Sequence, residues 1–405
     1  MWDGVVLQLS YSEPVVRYAL AALGALHEQQ SLRRADGERR VNLDLVQTGF
    51  PARLYTKALH GLQQMISRKT TTTNLLLICA LLFVHFEALH EDFIPALMHA
   101  ENAIRLIHTS SASSTEINST LVNAMQQVDL RSSLYLNQRV PELFLSRFIH
   151  NDIPVAFVDL LHARDVINAW AYRLFHFMRS VADHYKLHYP GDVPLEHFAY
   201  AQSLERSLLT LEALLWDLTK RPDLKLSFRE HCGLSILRIR LKVNRILASG
   251  CLYAETAVYD RSLPDFESIL NISKYVLSSD SVAEQLFSFS LDEGLLHPLY
   301  FVAVFCRDSC TRHDALTQLH RLPAHRGVWH VEVMTKMAAM AIEIEEEGLA
   351  APRCEDIPEW KRIHTAEFDG ADVAAKLQRN FGVLWKSRPN GLDGEWSTMR
   401  TIVKF

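Results

Sequence analysis

Six cysteines are the first residues of this sequence whose number suggests chemistry, because six thiolates form the ligand set of a binuclear zinc cluster. They lie at positions 79, 232, 251, 306, 310 and 354, and no Cys-x-x-Cys pair occurs. A structural zinc site takes its thiolates in close pairs, since a short turn must present two ligands to one tetrahedral ion. Cys306 and Cys310 are one helical turn apart, but no second pair complements them. The spacing therefore predicts free, reduced and mostly buried thiols of an intracellular protein, and no metal site.

Nineteen histidines make metal binding or acid–base catalysis the next chemistry to test. His184 and His188 have the best spacing, because residues four apart on a helix share a face. A zinc protease with this spacing carries a general-base Glu directly after the first His, and Tyr185 holds that position here. No third ligand follows, so a surface pair or a satisfied core pair is predicted. Four more histidines, which share no single face, are predicted at the edge of the core: His85, His90, His99 and His108.

Sequence motifs of the common enzyme classes do not occur. The segment 232–236 lacks the second Gly of a Gly-x-Ser-x-Gly nucleophile turn, and no dinucleotide-binding or phosphate-binding glycine loop is found. A terpene-type cyclase needs clustered Asp residues to hold Mg²⁺, and the nearest candidates, 151–152 and 369–372, have no acidic partner run. We therefore assign no catalytic, cofactor-binding or metal-binding residue and expect no cofactor.

Charge is the next guide to function. The formal net charge is −5, from 42 Lys and Arg against 47 Asp and Glu, which argues against binding nucleic acid mainly through phosphate contacts. A basic run, Arg33–Arg34 and Arg39–Arg40, is predicted to be a solvated loop, with contact to phosphate or an import receptor as the alternative. The acidic run of Glu343, Glu345, Glu346 and Glu347 is predicted to be exposed solubilising charge at a helix end, with a basic partner surface as its alternative.

Apolar residues recur at intervals of three and four along most of the chain, which predicts helices. Segments with the two-residue period of strands, bounded by Gly or Asn-Gly, are scarce, so we predict no sheet. The sequence thus predicts an all-α fold, in which stacked antiparallel helix pairs form one large helical domain over residues 1–405. The predicted helices are 14–29, 55–66, 74–90, one beginning at Asp92, 165–188, 195–220, 231–248, 295–306, 314–321 and 331–347.

The most apolar run, 75–84, has ten residues, whereas a membrane span needs about 20. It is predicted to be a buried helix of a soluble protein. Residues 1–10 lack the basic region of a secretion signal.

Several of these stretches together resemble the helical regulatory region of fungal binuclear zinc cluster transcription factors. The resemblance runs in order from about residue 12 to residue 350, and each patch alone is a weak signal. The patches are 14–28; 55–58 with 75–91, which includes Phe86-Glu87, and then Ala100 and Ile104; 153–154 with 163–164; 294–303 with 306–308; 327–329; and 342–347.

In that family a short N-terminal module with six paired cysteines and a basic linker reads DNA, and the helical region regulates it. The six cysteines of this chain lack that pairing. No zinc cluster DNA-binding domain is therefore expected here, and no DNA contact is assigned to any residue.

The resemblance implies a nuclear regulator of transcription, expected to serve a specialised-metabolite gene cluster, with shuttling to the cytoplasm left open. The implied partners are other transcription factors or coregulators. A small-molecule effector and a homo- or heterodimer are left open, while little direct DNA binding and no membrane contact are expected. The alternative hypothesis is a helical biosynthetic enzyme, for example a cyclase, that reuses this fold around an apolar pocket.

Overall fold

A computed structural model places most of the chain, and the contacts of its backbone divide it into two compact units. The first unit contains the described residues up to Tyr135, and the second contains nearly all described residues from 139 onward. The prediction that residues 1–405 form a single domain stays a prediction. The residues that the structure describes are 5–35, 49–90, 92–112, 117–135, 139–143, 152–186, 193–278, 294–322, 325–326, 329–368, 380–391 and 394–404.

The first unit is built from helices. They are α1 (Leu7–Ser12), α2 (Pro14–Ala35), α3 (Phe50–Ser67), α4 (Thr73–Leu89), α5 (Phe93–Ala112) and α6 (Ser119–Tyr135). Local sequence sets their starts: Pro51 stands in the first turn of α3, where its missing N–H is not needed. The Thr72 side chain accepts a hydrogen bond from the backbone N–H of Leu75, 3.3 Å away, and so caps α4.

Helix α4 lies at the centre of the first unit, as its apolar sequence predicts. Its residues from Leu77 to Val84, apart from Ala80, are all buried, and it packs against α2 and α5. On α5 the small residues Ala96, Ala100 and Ala103 are buried, which allows a neighbouring helix to approach closely. The predicted pairing of α4 with the following helix is therefore confirmed.

The second unit is also mainly helical. Its helices are α7 (Leu160–Phe177), α8 (Leu195–Thr219), α9 (Phe228–Gly250), α10 (Leu263–Leu277), α11 (Leu296–Phe305), α12 (Ser309–His320) and α13 (Val331–Glu346). Helix α7 continues through a π-helical turn, Met178–Ala182, and a last helical turn, Asp183–Lys186. Shorter 3₁₀ turns occur at Thr256–Ser262, Cys354–Asp356 and Glu359–Lys361. The all-α prediction is confirmed, and three helices that the periodicity did not reveal, α1, α6 and α10, are added.

A ring of four charges ties α8, α9 and α10 together. Lys242 lies 3.0 Å from Glu212 and 3.1 Å from Asp265, and Arg245 bonds to the same two carboxylates. Lys242 and Arg245 are one turn apart on α9, so one face of that helix presents both cations. Because every member has two opposite-charge partners and is mostly buried, the ring fixes the order of the three helices more firmly than isolated surface pairs would.

The prediction of no sheet is wrong. Strands β1 (His325–Arg326) and β2 (Trp329–His330) have two residues each, while β3 (Thr365–Phe368), β4 (Asn380–Ser387) and β5 (Ser397–Lys404) form an antiparallel sheet in the order β3-β4-β5. Val383 pairs with Thr401, and Trp385 pairs with Met399. Val383, Trp385 and Val403 are buried, so one face of the sheet packs inward.

Among the helices that the structure describes, none has the length and apolar character needed to cross a membrane.

Candidate functional site

A polar cluster of the first unit is built around Tyr55 of α3. Its ring stacks on Phe86 at a centroid distance of 4.2 Å and meets the edge of Phe83 at 5.4 Å. Both phenylalanines lie on α4, three residues apart, and therefore share one face of that helix. The ring of Tyr55 is thus packed against aromatic side chains, and the residue is partly buried.

Two polar side chains meet the hydroxyl group of Tyr55. The buried carboxylate of Glu87 on α4 acts on the same hydroxyl group, since its hydrogen bond and negative charge raise the pKa of Tyr55. The hydroxyl oxygen also lies 3.0 Å from Nε2 of His99 on α5. We infer that Tyr55 gives its one hydroxyl proton to Glu87 and that Nε2 of His99 carries a proton and donates to Tyr55. The three residues form a relay, His99 to Tyr55 to Glu87, that joins three helices.

Burial sets the protonation behaviour of this relay. Burial raises the pKa of Tyr55, and the hydrogen bond and negative charge of Glu87 raise it further. Burial also raises the pKa of Glu87, while the hydrogen bond from Tyr55 acts against that shift. Burial lowers the pKa of His99, which favours its neutral form. Because perturbed pKa values cluster at functional sites, these three residues form a candidate site.

Replacing Tyr55 with Phe is expected to lower the free energy of unfolding by about 1–3 kcal/mol, because the buried Glu87 loses its donor and keeps its desolvation cost. Urea unfolding followed by circular dichroism measures this change. The control is Tyr11→Phe, since Tyr11 is 85% exposed and should change stability by less than about 0.5 kcal/mol. Equal effects of the two substitutions would show that the relay does not contribute to stability.

The acidic run at the end of α13 belongs to the second unit, and its predicted role as exposed charge is wrong for Glu345. The side chain of Glu345 is 0% exposed, as are those of Arg307 and Arg312. Glu345 Oε1 accepts hydrogen bonds from Arg307 at 3.0 Å and from the backbone N–H of Ile363 at 2.8 Å. Its Oε2 accepts one from Arg312 at 2.8 Å. Although burial acts to raise the pKa of Glu345, the two guanidinium groups hold it below its usual range.

The two arginines of this network are also fixed by backbone carbonyl groups. Arg307 donates to the carbonyl oxygens of Phe305 at 2.9 Å and Ile363 at 3.0 Å. Arg312 donates through Nε to the carbonyl oxygen of Ala303 at 3.1 Å. One carboxylate thus joins the end of α11, helix α12, helix α13 and the segment before β3. The arrangement positions these elements, and it is a structural network.

A second carboxylate, Glu359, joins the same segment to the 3₁₀ turn that precedes α10. It accepts hydrogen bonds from the backbone N–H groups of Thr256 at 2.7 Å and Ala257 at 2.9 Å, and it lies 2.8 Å from Nε2 of His364. Burial acts to raise the pKa of Glu359, but these hydrogen bonds outweigh it and lower the pKa to about 2. Arg362 pairs in a bidentate way with Asp260 of that turn, at 2.7 and 2.8 Å.

The low pKa of Glu359 predicts a pH-dependent contribution to stability. A carboxylate whose pKa is lowered on folding stabilises the folded state above its unfolded value of 4.5, and this stabilisation is lost as the pH falls toward 2. Glu359→Gln should therefore cost about 3 kcal/mol at pH 7 but only about 1 kcal/mol at pH 3. Urea unfolding of both proteins at the two pH values checks this, with the exposed neighbour Glu355→Gln as control. A cost for Glu359→Gln that does not change with pH would contradict the prediction.

The residues that the sequence singled out for metal or nucleophile chemistry are not brought together. His184 contacts the ring of Tyr185 edge-on at 5.2 Å, and His188 lies outside the described residues. Cys306 is buried and Cys310 is exposed, so they share no site. The segments 36–40, 369–372 and residue 151 also lie outside the described residues. Within the parts of the chain that the structure describes, no three His, Cys, Asp or Glu side chains are grouped to hold a metal ion.

The prediction of free and mostly buried thiols is confirmed. All six cysteines are free, and five of them are buried.

The relay and the two carboxylate networks could not be predicted from the sequence, because their members lie far apart in it. Two sequence observations concern residues of the relay. His99 is predicted at the edge of the core, and Phe86-Glu87 is part of the family resemblance.

The family model described as fungal specific transcription factor domain matches residues 1–339. No curated protein and no solved structure matches the chain.

Proposed function

Because the chain belongs to the family of the fungal specific transcription factor domain, and is thus a fungal transcriptional regulator, we propose that it controls a specialised-metabolite gene cluster. It does so in the nucleus, through contacts with other proteins or with a small molecule. The observation that carries this proposal is the family match, which covers 339 of the 405 residues. The relay of His99, Tyr55 and Glu87 lies within the matched residues.

The relay supports a small molecule as one of these contacts. Ligand sites combine an apolar or aromatic lining with a few polar groups whose directions are fixed. Tyr55 lies against two phenylalanine rings, and its hydroxyl group is held between His99 and Glu87. An effector with an aromatic or aliphatic body and one polar group matches this chemistry.

A deletion strain tests the regulatory role. Transcripts of clustered biosynthetic genes are measured beside the levels of their pathway intermediates, with a strain that carries the gene again as control. We expect the transcripts of many pathway genes to change together and the restored strain to recover them. Unchanged transcripts with accumulation of one intermediate would overturn the proposal and favour the alternative of a helical biosynthetic enzyme.

The expected mode of action also predicts weak binding to DNA. The net charge of −5 gives little long-range attraction to phosphate, so we expect association only at about 10⁻⁴–10⁻⁶ M, with strong weakening by salt. Fluorescence anisotropy of the full chain with promoter fragments of the cluster, at 50 and 200 mM salt, measures this. Nanomolar, sequence-selective binding at physiological salt would show that the chain reads DNA directly.

A further inference from the structure

Helix α8 of the second unit has two apolar faces. One face is buried, and its leucines are each 2% exposed or less: Leu204, Leu208, Leu211, Leu215 and Leu218. The other face is exposed, with Leu209 at 43%, Trp216 at 54% and the exposed Ala213 between them. These three residues are four and three positions apart, so they form one stripe along the helix. Single exposed apolar residues are common on protein surfaces, but a continuous stripe with a large aromatic ring is typical of a contact surface.

Positive charges stand at both ends of this stripe. The Lys220 Nζ atom, one turn after Trp216, lies 5.5 Å from the centroid of the Trp216 ring. The guanidinium carbon of Arg238 on α9 lies 5.0 Å from the same centroid. Both distances are in the range of cation–π attraction. At the other end, Arg206 is exposed one turn before Leu209.

The carboxylates near Trp216 are already engaged by other cations. Asp217 lies 3.1 Å from Lys220, and Glu212 is a member of the four-charge ring that ties α8 to α9 and α10. Within the part of the chain that the structure describes, no carboxylate forms a hydrogen bond with Arg238. Arg238 is partly buried, and burial lowers its pKa while the charge of Glu212 acts against this. A partly desolvated guanidinium of this kind can still accept a carboxylate from a binding partner.

We propose that the α8 surface, formed by Arg206, Leu209, Trp216, Lys220 and Arg238, binds an acidic amphipathic helix of another protein. The apolar face of such a helix covers the stripe, and its carboxylates meet the cations at the two ends. Arg206 and Lys220 are fourteen positions apart, which is roughly 21 Å along a helix. The partner segment therefore needs acidic residues on both sides of an apolar stretch of about four turns. This inference rests on the proposed function, because it names the chemistry of one of the protein contacts proposed there.

Charge complementarity favours this occupant over two others. A nucleic acid would meet the exposed carboxylates of Asp217 and Asp223, whose side chains are 67% and 63% exposed, and a chain with a net charge of −5. A second copy of the α8 surface would place Arg206 beside the partner copy's cations whether the two helices ran parallel or antiparallel, and like charges facing each other oppose binding. An acidic helix meets neither obstacle.

The experiment is fluorescence anisotropy of the full chain with a labelled synthetic peptide of about 20 residues, long enough to span about 30 Å as a helix. The peptide carries Leu and Phe at i, i+3, i+4 and i+7 and Glu at both ends. We expect saturable binding with a Kd of roughly 1–10 μM at 50 mM salt, weakened at 200 mM salt because exposed charges are screened. A comparison peptide with Lys in place of every Glu should bind at least about tenfold more weakly.

Two variants with matched controls locate the binding surface. Trp216→Ala should weaken binding by about tenfold or more, since a large aromatic side chain at the centre of an interface contributes most of its affinity. Arg238→Met should weaken binding and reduce its dependence on salt. Trp360→Ala is the control for the first, because Trp360 is also 54% exposed, and Arg105→Met is the control for the second, because Arg105 is an exposed cation of α5. Both controls should stay within about twofold of the unchanged chain, and circular dichroism verifies that all four variants are folded.

A chemical cross-link gives a readout that does not depend on the folding of these variants. A carbodiimide joins a carboxylate to an amine only where the two are in contact, so the acidic peptide should become linked to Lys220, as mapped by mass spectrometry. Lys220→Met should remove this link.

Four results would overturn the proposal. They are equal binding of the acidic and basic peptides, unchanged binding by Trp216→Ala, cross-links only to other lysines, and tighter binding of a single-stranded oligonucleotide than of the acidic peptide at this surface. A dimer of the full chain that Trp216→Ala dissociates in sedimentation would also overturn it, because the surface would then bind a second copy. The peptide assay uses purified protein and the deletion strain measures transcripts, so failure of this proposal is distinguishable from failure of the proposed function.

Discussion

Replacing Glu345 with Gln is expected to lower the free energy of unfolding by about 3–5 kcal/mol. The substitution keeps the shape of the side chain but removes its negative charge. Arg307 and Arg312, both 0% exposed, then keep their positive charges in the interior, where only Glu346, 3.7 Å from Arg312, remains as a negative partner. Removing one partner of a buried ion pair costs this much because the charge that remains, here mainly that of Arg307, loses its compensation.

The measurement is urea unfolding of the full chain, followed by the fluorescence of its tryptophans, with thermal unfolding as a second probe. For a unit of this size the loss corresponds to a fall of roughly 10 °C in Tm. Glu343→Gln is the matched control, since Glu343 lies on the same helix two residues earlier and is exposed. It should change stability by less than about 0.5 kcal/mol.

A triple variant separates lost charge from lost packing. Arg307→Met, Arg312→Leu and Glu345→Leu together replace the network by apolar side chains, and such replacements are often neutral or stabilising. We therefore expect the triple variant to be more stable than Glu345→Gln alone. If the triple variant is the less stable of the two, the cost at Glu345 comes from packing, and uncompensated charge is not its cause.

The helices could be predicted from the sequence because their signals are local. Helix α8 was predicted as 195–220 and runs from Leu195 to Thr219, and the Thr72 cap places the start of α4. A period of 3.6 residues and a capping side chain lie within a few residues of one another, so a single sequence shows them. The apolar period does not predict helix α6, because polar residues interrupt its apolar stripe. They are Gln126, Asp129 and Ser133, all of which are buried.

The sequence contains one local signal for the sheet, an Asn-Gly pair between two of its strands. Asn390-Gly391 lies between β4 and β5, and Gly391 has a φ of +83°, a conformation that favours glycine. Apolar strands on both sides of an Asn-Gly pair are a hairpin signal, although the loop here is longer than two residues. The two strand segments are short, and the helical period of the rest of the chain dominates the prediction of the fold class.

The site residues could not be predicted, because their partners are distant in sequence. Glu345 looks like an exposed charge at a helix end until Arg307 and Arg312, more than thirty residues earlier, are placed beside it. Tyr55 and His99 are 44 residues apart, and only the packing of α3, α4 and α5 brings them together. Local patterns show which face of a helix is apolar, but not which residue of another helix will meet it.

Replacing Gly250 with Ala is expected to lower the free energy of unfolding by about 2–3 kcal/mol, although alanine is the better helix former. Gly250 is the last residue of α9 and is buried, and a Cβ atom there would lie closer than 3.0 Å to three ring carbons of Tyr259. Tyr259 is 4% exposed and meets the ring of Phe305 edge-on at 5.7 Å, so the ring has little room to move away. The overlap must be relieved by shifting packed atoms, which costs more than the gain in helix propensity.

The same helix supplies the control. A Cβ atom at Gly233 meets nothing within 4 Å, so Gly233→Ala should raise the free energy of unfolding by about 0.5–1 kcal/mol. In urea unfolding, the change in the free energy of unfolding caused by Gly→Ala should thus have opposite signs at these two positions of α9. A third protein tests the cause: with Tyr259→Leu in place, adding Gly250→Ala should cost much less, because the ring that it strikes is gone. If Gly250→Ala costs as much in the Tyr259→Leu background as it does with the tyrosine present, the loss arises in the backbone of α9 and the contact with the ring does not explain it.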